Sequence, residues 1–277
     1  MIDGVESGPG VRRKCRVLSL RRQTYYRRKA GHRPEEEDDR IAKLLKQKVR
    51  KHVAWGFWMI FHLLRREGSS WNHKRVYRVW KTEELHLRPK PSRPRPKRKY
   101  EDLLAPDQVN QGWAMDFLSD WVVGEDKQSV RLFNLVDECS RMALWTEAHK
   151  SIRARKVTDI LDKVIQWRGK PQYIRCDNGS EFTSKDLETW ASTHGIELKF
   201  IQPGKPSQNG IIERLNGTLR RECLNLEWFE SIEQLNNKLQ QWWNTYNYVR
   251  PHSSLGYKTP DEVDKSTSKF YFKAVAA

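Results

Sequence analysis

Three acidic residues are spaced along this chain in a way that suits chemistry on a phosphodiester. Asp116 lies in the apolar run W-A-M-D-F-L, Asp177 follows another short apolar run, and 35 residues separate Asp177 from Glu213. Two carboxylates about 4 Å apart repel each other by roughly 4 kcal/mol at an effective dielectric of about 20, and a third adds more. Hard divalent cations relieve such repulsion. The pattern therefore predicts a metal-dependent enzyme that acts on phosphodiesters.

Each of these acids also has an ordinary structural interpretation. Asp116 projects from the strand face opposite to Met115 and Phe117, where an unpaired carboxylate needs hydrogen-bond donors or a cation. Asp177 opens the sequence D-N-G, and aspartate at such a position often hydrogen bonds within its own turn. Glu213 near a helix start interacts favourably with the helix dipole. Taken together, the three acids are better explained by a shared metal site.

The helix predicted to begin near Glu213 carries two more polar residues on the same side. Its predicted buried stripe consists of Ile212, Leu215, Leu219 and Leu226. Glu213, Asn216 and Arg220 follow steps of three and four on an adjoining face. One face of this helix can therefore offer a carboxylate to a metal and an arginine to the phosphate of the same substrate.

The basic charge of the chain is concentrated in its first third. Residues 1–100 contain 29 Lys and Arg and 10 Asp and Glu, whereas residues 101–277 contain 23 and 25. This asymmetry predicts an N-terminal region that binds a polyanion and a nearly neutral region that has a different function. Arginine interleaved with aromatic residues favours nucleic acid over the alternative, a solvated surface rich in lysine.

The composition changes along the chain divide it into five predicted parts. Residues 87–100 alternate proline with basic residues, which is typical of an extended connector. The predicted parts are a partial, basic helix-turn-helix-like segment at 1–35, a helical DNA-binding domain at 36–86, the basic proline-rich linker at 87–100, a catalytic core at 101–230, and a C-terminal helix and tail at 231–277.

The predicted DNA-binding domain shows helical spacing of its apolar residues. Ile60, Phe61 and Leu64 mark a helix, and Asn72 is placed to cap the next one after a glycine-containing turn. The basic residues on the remaining faces of that last helix are the predicted DNA contacts Lys74, Arg75 and Arg78. This pattern favours a helix-turn-helix-like unit. The alternative is a small helical bundle with a solvated basic face.

The predicted core has the element order of an α/β fold. Strands are predicted at 113–123, 130–138, 142–148, 172–176 and 197–202, with helices at 151–167 and 185–194. Three adjacent strands followed by helix, strand, helix and strand predict a mixed five-stranded sheet with flanking helices, of the ribonuclease H kind. Function on such a fold still has to be argued from its site.

Several classes of protein are disfavoured by composition. No stretch approaches the run of about 20 apolar residues that a membrane span needs. The first residues lack the basic and then apolar pattern of a signal peptide. The four cysteines are scattered, without a C-x-x-C pair. These features predict a cytoplasmic protein without a disulfide framework or a structural zinc site.

Four motifs carry a resemblance to a known family. They are W-A-M-D-F at 113–117, I-R-C-D-N-G-S-E-F at 174–182, Q-P-G-K-P-S-Q-N-G-I-I-E-R-L-N-G-T-L-R-R-E at 202–222 and Y-N-Y-V-R-P-H-S-S-L-G-Y-K-T-P at 246–260. The chain resembles the transposases of bacterial insertion sequences of the IS-three class, OrfB type, whose core is similar to that of retroviral integrases. The motifs cover most of residues 100–265, and the last two are long enough to be highly specific.

This resemblance implies roles for the acids and a reaction. Asp116, Asp177 and Glu213 would be the catalytic metal ligands, holding two Mg²⁺ ions for which Mn²⁺ can substitute. Arg220 would be the basic residue that the family places seven positions after its glutamate. Activated water or a DNA 3′-hydroxyl would cut at the end of the element, and the freed 3′-hydroxyl would then attack another strand.

Further DNA contacts are predicted around the glutamate. Lys205, Gln208 and Asn209 lie in a loop just before Glu213, and the alternative for this loop is an ordinary flexible connection. Asn216 and Arg220 complete the predicted DNA-contact set of the core.

The resemblance also implies partners and leaves two competing functions. The expected partners are the terminal repeats of the element, target DNA, and further copies of the chain assembled on DNA at the nucleoid. An upstream-frame protein or fusion would supply a helix-turn-helix and a leucine zipper, since no heptad pattern occurs here. The alternatives are a ribonuclease H-like nuclease that cuts without joining and a non-catalytic DNA-binding regulator that keeps the fold.

Overall fold

A computed structural model describes residues 11–17, 21, 25, 35–87, 106–124, 127–202 and 206–265. These residues form a group of helices followed by a five-stranded sheet with helices on both faces. Nearly all of the predicted linker at 87–100, much of the predicted segment at 1–35, and Lys205 lie outside the described residues. No helix in the described part of the chain is long and apolar enough to cross a membrane.

The N-terminal part is helical, as its apolar spacing predicts. The helices are α1 Val11–Val17, α2 Glu35–Lys51, α3 Phe57–Arg66 and α4 His73–Thr82. The capping role predicted for Asn72 is confirmed, because its side chain accepts a hydrogen bond from the backbone of Lys74 at 2.8 Å. The shared core of α2, α3 and α4 includes Ile41, Leu45, Trp55, Ile60, Leu64, Val76 and Trp80.

Acidic residues at the start of α2 hold α4 in place. Arg75 on α4 pairs with Glu37 and, through Nε at 2.7 Å, with Asp38 Oδ1. Arg78 pairs with the other oxygen of Asp38 at 2.5 Å. The Arg75 side chain is only 9% exposed, so its positive charge is balanced by acidic residues of the same domain. This geometry argues against the predicted DNA contact at Arg75 and leaves Lys74 exposed.

The predicted order of strands and helices in the core is confirmed. The strands are β1 Gly112–Val123, β2 Lys127–Asp137, β3 Ala143–His149, β4 Tyr173–Cys176 and β5 Glu197–Phe200, with α5 Ala154–Arg168 before β4 and α6 Lys185–His194 before β5. The sheet order is β3-β2-β1-β4-β5. The β1–β2 and β2–β3 pairs are antiparallel, whereas β4 pairs in parallel with both β1 and β5.

The central strand β1 sends alternate side chains to two separate cores. Trp113 and Met115 pack with α5 and α6 on one face. Ala114 and Leu118 pack on the other face. Because side chains alternate along a strand, Asp116 belongs to the second face. That face is covered by α7 Gly210–Leu219 and α8 Ile232–Asn244.

The buried stripe predicted for α7 is partly wrong. Ile212, Leu215 and Leu219 are buried as predicted, but Leu226 is 48% exposed. A wider helical turn at Arg220–Leu224 follows α7 directly. The helical segment ends at Leu224, so Leu226 lies in the turn that follows and not on the core face of the helix.

The C-terminal segment contacts the helical domain. Arg66 on α3 donates to the backbone oxygen of Tyr257 at 3.1 Å and to Glu262 at 2.5 Å. His62 stacks on the Tyr257 ring, with centroids 4.0 Å apart. Glu262 is itself fixed by reciprocal hydrogen bonds with Thr259. The C-terminal segment around Tyr257 and Glu262 therefore contacts the helical domain directly.

Candidate active site

The side chain of Asp116 is held by two hydrogen bonds in the middle of β1. Its Oδ1 accepts from the backbone of Phe117, and its Oδ2 accepts from Asn216 Nδ2, both at 2.8 Å. Asn216 lies on α7, which crosses this face of the sheet. The carboxylate is therefore aimed at the same side of the sheet as Glu213.

Asp177 follows β4 directly, and β4 is the parallel neighbour of β1. Its Oδ1 accepts a hydrogen bond from the backbone of Gly179 at 2.9 Å. A Cβ atom at position 179 would lie 3.0 Å from that oxygen, which is closer than side chains normally approach. The glycine of D-N-G thus lets the backbone come close to the carboxylate and orient it.

The loop after Asp177 packs against the strand residue next to Asp116. Phe182 is fully buried and stacks on Phe117, with centroids 4.7 Å apart and planes within 6°. The Arg131 guanidinium lies over the same Phe117 ring, 4.4 Å from its centroid. Arg131 also forms an ion pair with Glu181. These contacts fix the position of the Asp177 loop relative to β1.

Glu213 lies in the first turn of α7 and is exposed. Buried Ile212 and Leu215 anchor the helix on the sheet on either side of it. Further along the helix, Arg220 Nη2 donates to the backbone oxygen of Ser119 at 2.8 Å. The α7 face predicted to carry Glu213, Asn216 and Arg220 therefore lies along β1.

The three acids share one electrostatic environment. Burial raises the pKa of Asp116 to about 6, and the charges of Asp177 and Glu213 raise it as well. The hydrogen bonds from Phe117 and Asn216 act in the opposite direction. The structure thus brings the three predicted acids within electrostatic range of one another.

The acids suit a hard divalent cation in their chemistry. They offer carboxylate oxygens in a partly buried setting where the charge of Asp116 is unfavourable without a cation. Among the described residues, no three His, Cys, Asp or Glu side chains are placed to hold one ion jointly. Magnesium is usually bound by one or two carboxylates together with water and substrate phosphates, so a closed protein cage is not required.

A buried series of hydrogen bonds connects Asp116 to residues of the neighbouring strands. Asn134 Nδ2 donates to Asn216 Oδ1 at 2.7 Å, and Thr146 Oγ1 donates to Asn134 Oδ1 at 2.6 Å. This series of hydrogen bonds therefore connects β3, β2 and α7 to Asp116. Sequence reasoning missed Asn134 and Thr146, although an asparagine inside the apolar run L-F-N-L-V is a signal of a buried polar contact.

The remaining predicted DNA contacts of the core lie in different settings. Asn216 is 7% exposed and both ends of its amide are engaged within the protein. Gln208 Oε1 accepts from the backbone of Gln202 at 2.8 Å. Asn209 is 4% exposed, and its Oδ1 has no hydrogen-bond partner among the described residues. Direct DNA contact by these three residues stays a prediction, which the burial of Asn209 and Asn216 argues against.

Comparison with known proteins identifies the family. Residues 106–206 and 194–260 each match a family profile described as integrase core domain, and residues 36–95 match one described as HTH-like domain. The insertion element IS407 uncharacterized 31.7 kDa protein of Burkholderia multivorans is 35% identical over 91% of this chain and 89% of its own length. The transposase InsD for insertion element IS2 of Escherichia coli is 26% identical over 84% of this chain and 81% of its own length. The chain belongs to the insertion-element transposases.

The fold of this transposase has a viral counterpart. A similar chain occurs in the cryo-EM structure of the simian T-cell lymphotropic virus intasome in complex with the PP2A regulatory subunit B56 gamma. The similarity covers 81% of the transposase and 74% of that chain, with a TM-score of 0.50 and 19% sequence identity. The predicted fold class, an integrase-type core after a helix-turn-helix-like domain, is confirmed. The predicted class of enzyme, a polynucleotidyl transferase of the integrase-core family, is confirmed as well. The integrase-core family is metal-dependent, and an HTH-like domain implies DNA binding.

Proposed function

We propose that this transposase cuts a phosphodiester at the ends of an insertion sequence and joins the freed 3′-hydroxyl to target DNA. Asp116, Asp177 and Glu213 are the metal ligands in this proposal. The observation that carries it is the partly buried Asp116 carboxylate, whose pKa is raised by burial and by the charges of the other two acids. A site of this kind is completed by cations and by substrate phosphate oxygens.

The proposed cofactor is Mg²⁺, with Mn²⁺ as a substitute and two ions as the working number. When bound, a pair of such ions activates the attacking oxygen and stabilises the leaving oxygen of an in-line displacement. Transesterification of this kind needs no covalent protein intermediate. The hydroxyl freed by the first cut is itself the nucleophile of the joining step.

The side chains around the acids have distinct proposed tasks. Asn216 orients Asp116 by donating to Oδ2, and the Gly179 backbone orients Asp177. Arg220 has a side chain that is 40% exposed and is tethered to the Ser119 carbonyl, so it can also donate to a substrate phosphate. Arginine suits this task because its planar group presents several donors in a fixed geometry.

DNA capture is proposed to lie largely outside the acid site. The excess of basic residues in 1–100 supports an electrostatic grip by the N-terminal part, with Lys74 and Arg78 as contacts. The domain limits predicted above are part of this proposal. So are assembly of several copies on the terminal repeats, an upstream-frame partner that supplies a leucine zipper, and action at the nucleoid in the cytoplasm.

The test is a strand-transfer assay with pre-cleaved ends and labelled target DNA. The wild-type chain should join ends in Mg²⁺, and Asp116→Asn should abolish joining while DNA binding persists. Asp159→Asn, at an exposed aspartate on α5, is the matched control and should keep joining. Hydrolysis without joining by the wild-type chain would favour the nuclease alternative, and DNA binding without either reaction would favour the regulator.

A further inference from the structure

A cavity lined by four arginines lies on the side of α7 away from the acids. Its volume is about 280 Å³. Arginine side chains reach it from the β2–β3 turn, from α7 and the turn that follows, and from the C-terminal motif. We call it the arginine cavity, and its basic residues are Arg141, Arg214, Arg221 and Arg250.

The positive charge of the arginine cavity is only partly balanced within the chain. Arg250 is paired with Glu222 by three contacts of 2.8 to 2.9 Å, and both side chains are largely buried. Of the described residues that line the cavity, none is acidic. In the described part of the chain, no carboxylate lies within ion-pair distance of Arg141, Arg214 or Arg221.

The backbone is shaped to bring these arginines together. Arg141 has a φ of 62°, an unusual value for a residue other than glycine, and its Nη1 donates to the backbone oxygen of Glu138. Arg221 folds back along the helix and donates to Thr218 Oγ1 at 3.2 Å. A Cβ atom at Gly217 would lie 3.2 Å from Arg221 Nη1. Glycine inside a helix costs about 0.5–1 kcal/mol relative to alanine, and here it leaves space for the guanidinium.

Crowding of these positive charges is electrostatically unfavourable. Burial lowers the pKa of Arg141; the charge of Glu138 opposes this effect, and the neighbouring charge of Arg214 adds to it. An anion with several acceptor oxygens would satisfy the guanidinium groups, and the hydroxyls of Ser253 and Ser254 also line the cavity. Phosphate oxygens match the fork of arginine donors better than a single carboxylate does.

We propose that the arginine cavity binds a backbone phosphate of DNA. The proposal rests on the proposed action of the chain on DNA. Arg214 and Arg221 lie on one flank of the helical segment, and Glu213 lies on the other, with Ile212 and Leu215 packed on the sheet between them. A phosphate held by the arginines is therefore at a fixed distance from the acid site, which sets the register of the DNA on the core.

The test measures DNA affinity against salt in EDTA, so that it does not depend on cleavage. Arg214→Gln and Arg221→Gln are combined because both side chains are exposed and their removal should leave the fold intact. A plot of log affinity against log salt should become shallower by about 0.9 for each phosphate that the protein no longer neutralises. The control with an equal change in charge combines Arg153→Gln and Arg155→Gln, two exposed residues at the start of α5.

Each outcome decides for or against the proposal. A slope that is shallower by about one unit or more in the cavity variant than in the control supports it. An unchanged slope, or the same change in both variants, overturns it. Stabilisation by inorganic phosphate that disappears in the cavity variant, with an unchanged DNA slope, identifies a free-anion site and also overturns it. If the double variant fails to fold, Arg221→Gln alone is compared with Arg155→Gln. Failure here leaves the strand-transfer result untouched, so the two proposals are tested separately.

Discussion

Asn216 donates a hydrogen bond of 2.8 Å to Asp116 across the interface between α7 and β1. Three residues before Asn216 on the same helix is Glu213, so a single helix both supplies one acid and orients another. Because Asn216 is buried, we expect it to act through Asp116 and not by touching DNA directly.

Replacing Asn216 with alanine should therefore reduce catalysis more than DNA binding. Loss of a group that orients a metal ligand typically costs about 10–100-fold in metal affinity or activity. Strand transfer should fall by about that factor and recover in part at higher Mn²⁺, while DNA affinity changes little. Asn237→Ala, an exposed asparagine on α8, is the control. An equal loss of DNA affinity and activity would indicate a direct DNA contact instead.

Asn134 should influence activity only through Asn216. Removing its side chain leaves the buried oxygen of Asn216 without a donor, which costs about 1–3 kcal/mol of unfolding free energy. Asn134→Ala should also slow strand transfer in the wild-type background but have little further effect when Asn216 is already alanine. The measurement is a double-mutant cycle on rate and on stability. Fully additive effects on rate would contradict the hydrogen-bond chain.

The Asp116 carboxylate should destabilise the metal-free protein at neutral pH. Its folded-state pKa of about 6 lies above the ordinary value of 3.8, so the folded protein binds the extra proton and stability falls as pH rises between these values. A shift of about 2 units corresponds to at most about 3 kcal/mol. In EDTA, Asp116→Asn should raise the unfolding free energy above pH 6 and have no such effect near pH 4. A stability difference that does not change with pH would contradict this explanation.

The contact between the helical domain and the C-terminal motif should be modest in energy. Aromatic stacking contributes about 0.5–1.5 kcal/mol beyond buried area, and the half-exposed pair of Arg66 and Glu262 adds about 0–1 kcal/mol. In a double-mutant cycle followed by thermal unfolding, His62→Ala and Tyr257→Ala should show coupling. Tyr248→Ala, in the same motif but 45% exposed, should not couple to His62→Ala. Equal coupling in both cycles would mean that the stacked pair is not the link between the domains.

Local patterns allowed much of this fold to be predicted. Alternation along β1 correctly assigned Asp116 to the face opposite Met115, and the helical period correctly assigned Leu215 to the core. The cap at Asn72 needed only its own residue type and the helix that follows. In each case the deciding physics lies within a few residues of the chain.

Contacts between distant segments were beyond sequence reasoning. Asn134 and Asn216 are 82 positions apart, and nothing local indicates that they share a hydrogen bond. The sequence around Arg75 does not show that Glu37 and Asp38 on α2 pair with it. The exposed position of Leu226 likewise follows from the end of the helical segment at Leu224, which the apolar spacing does not reveal.

The central claim is that Asp116, Asp177 and Glu213 bind the catalytic cations together. The most direct test is anomalous scattering from crystals of the full chain soaked in Mn²⁺. We predict an anomalous peak in contact with the carboxylates of Asp116 and Asp177 and facing Glu213, and the loss of this peak in Asp177→Asn crystals. A wild-type map with no peak between these acids, or a peak that persists unchanged in the Asp177→Asn variant, would contradict the assignment.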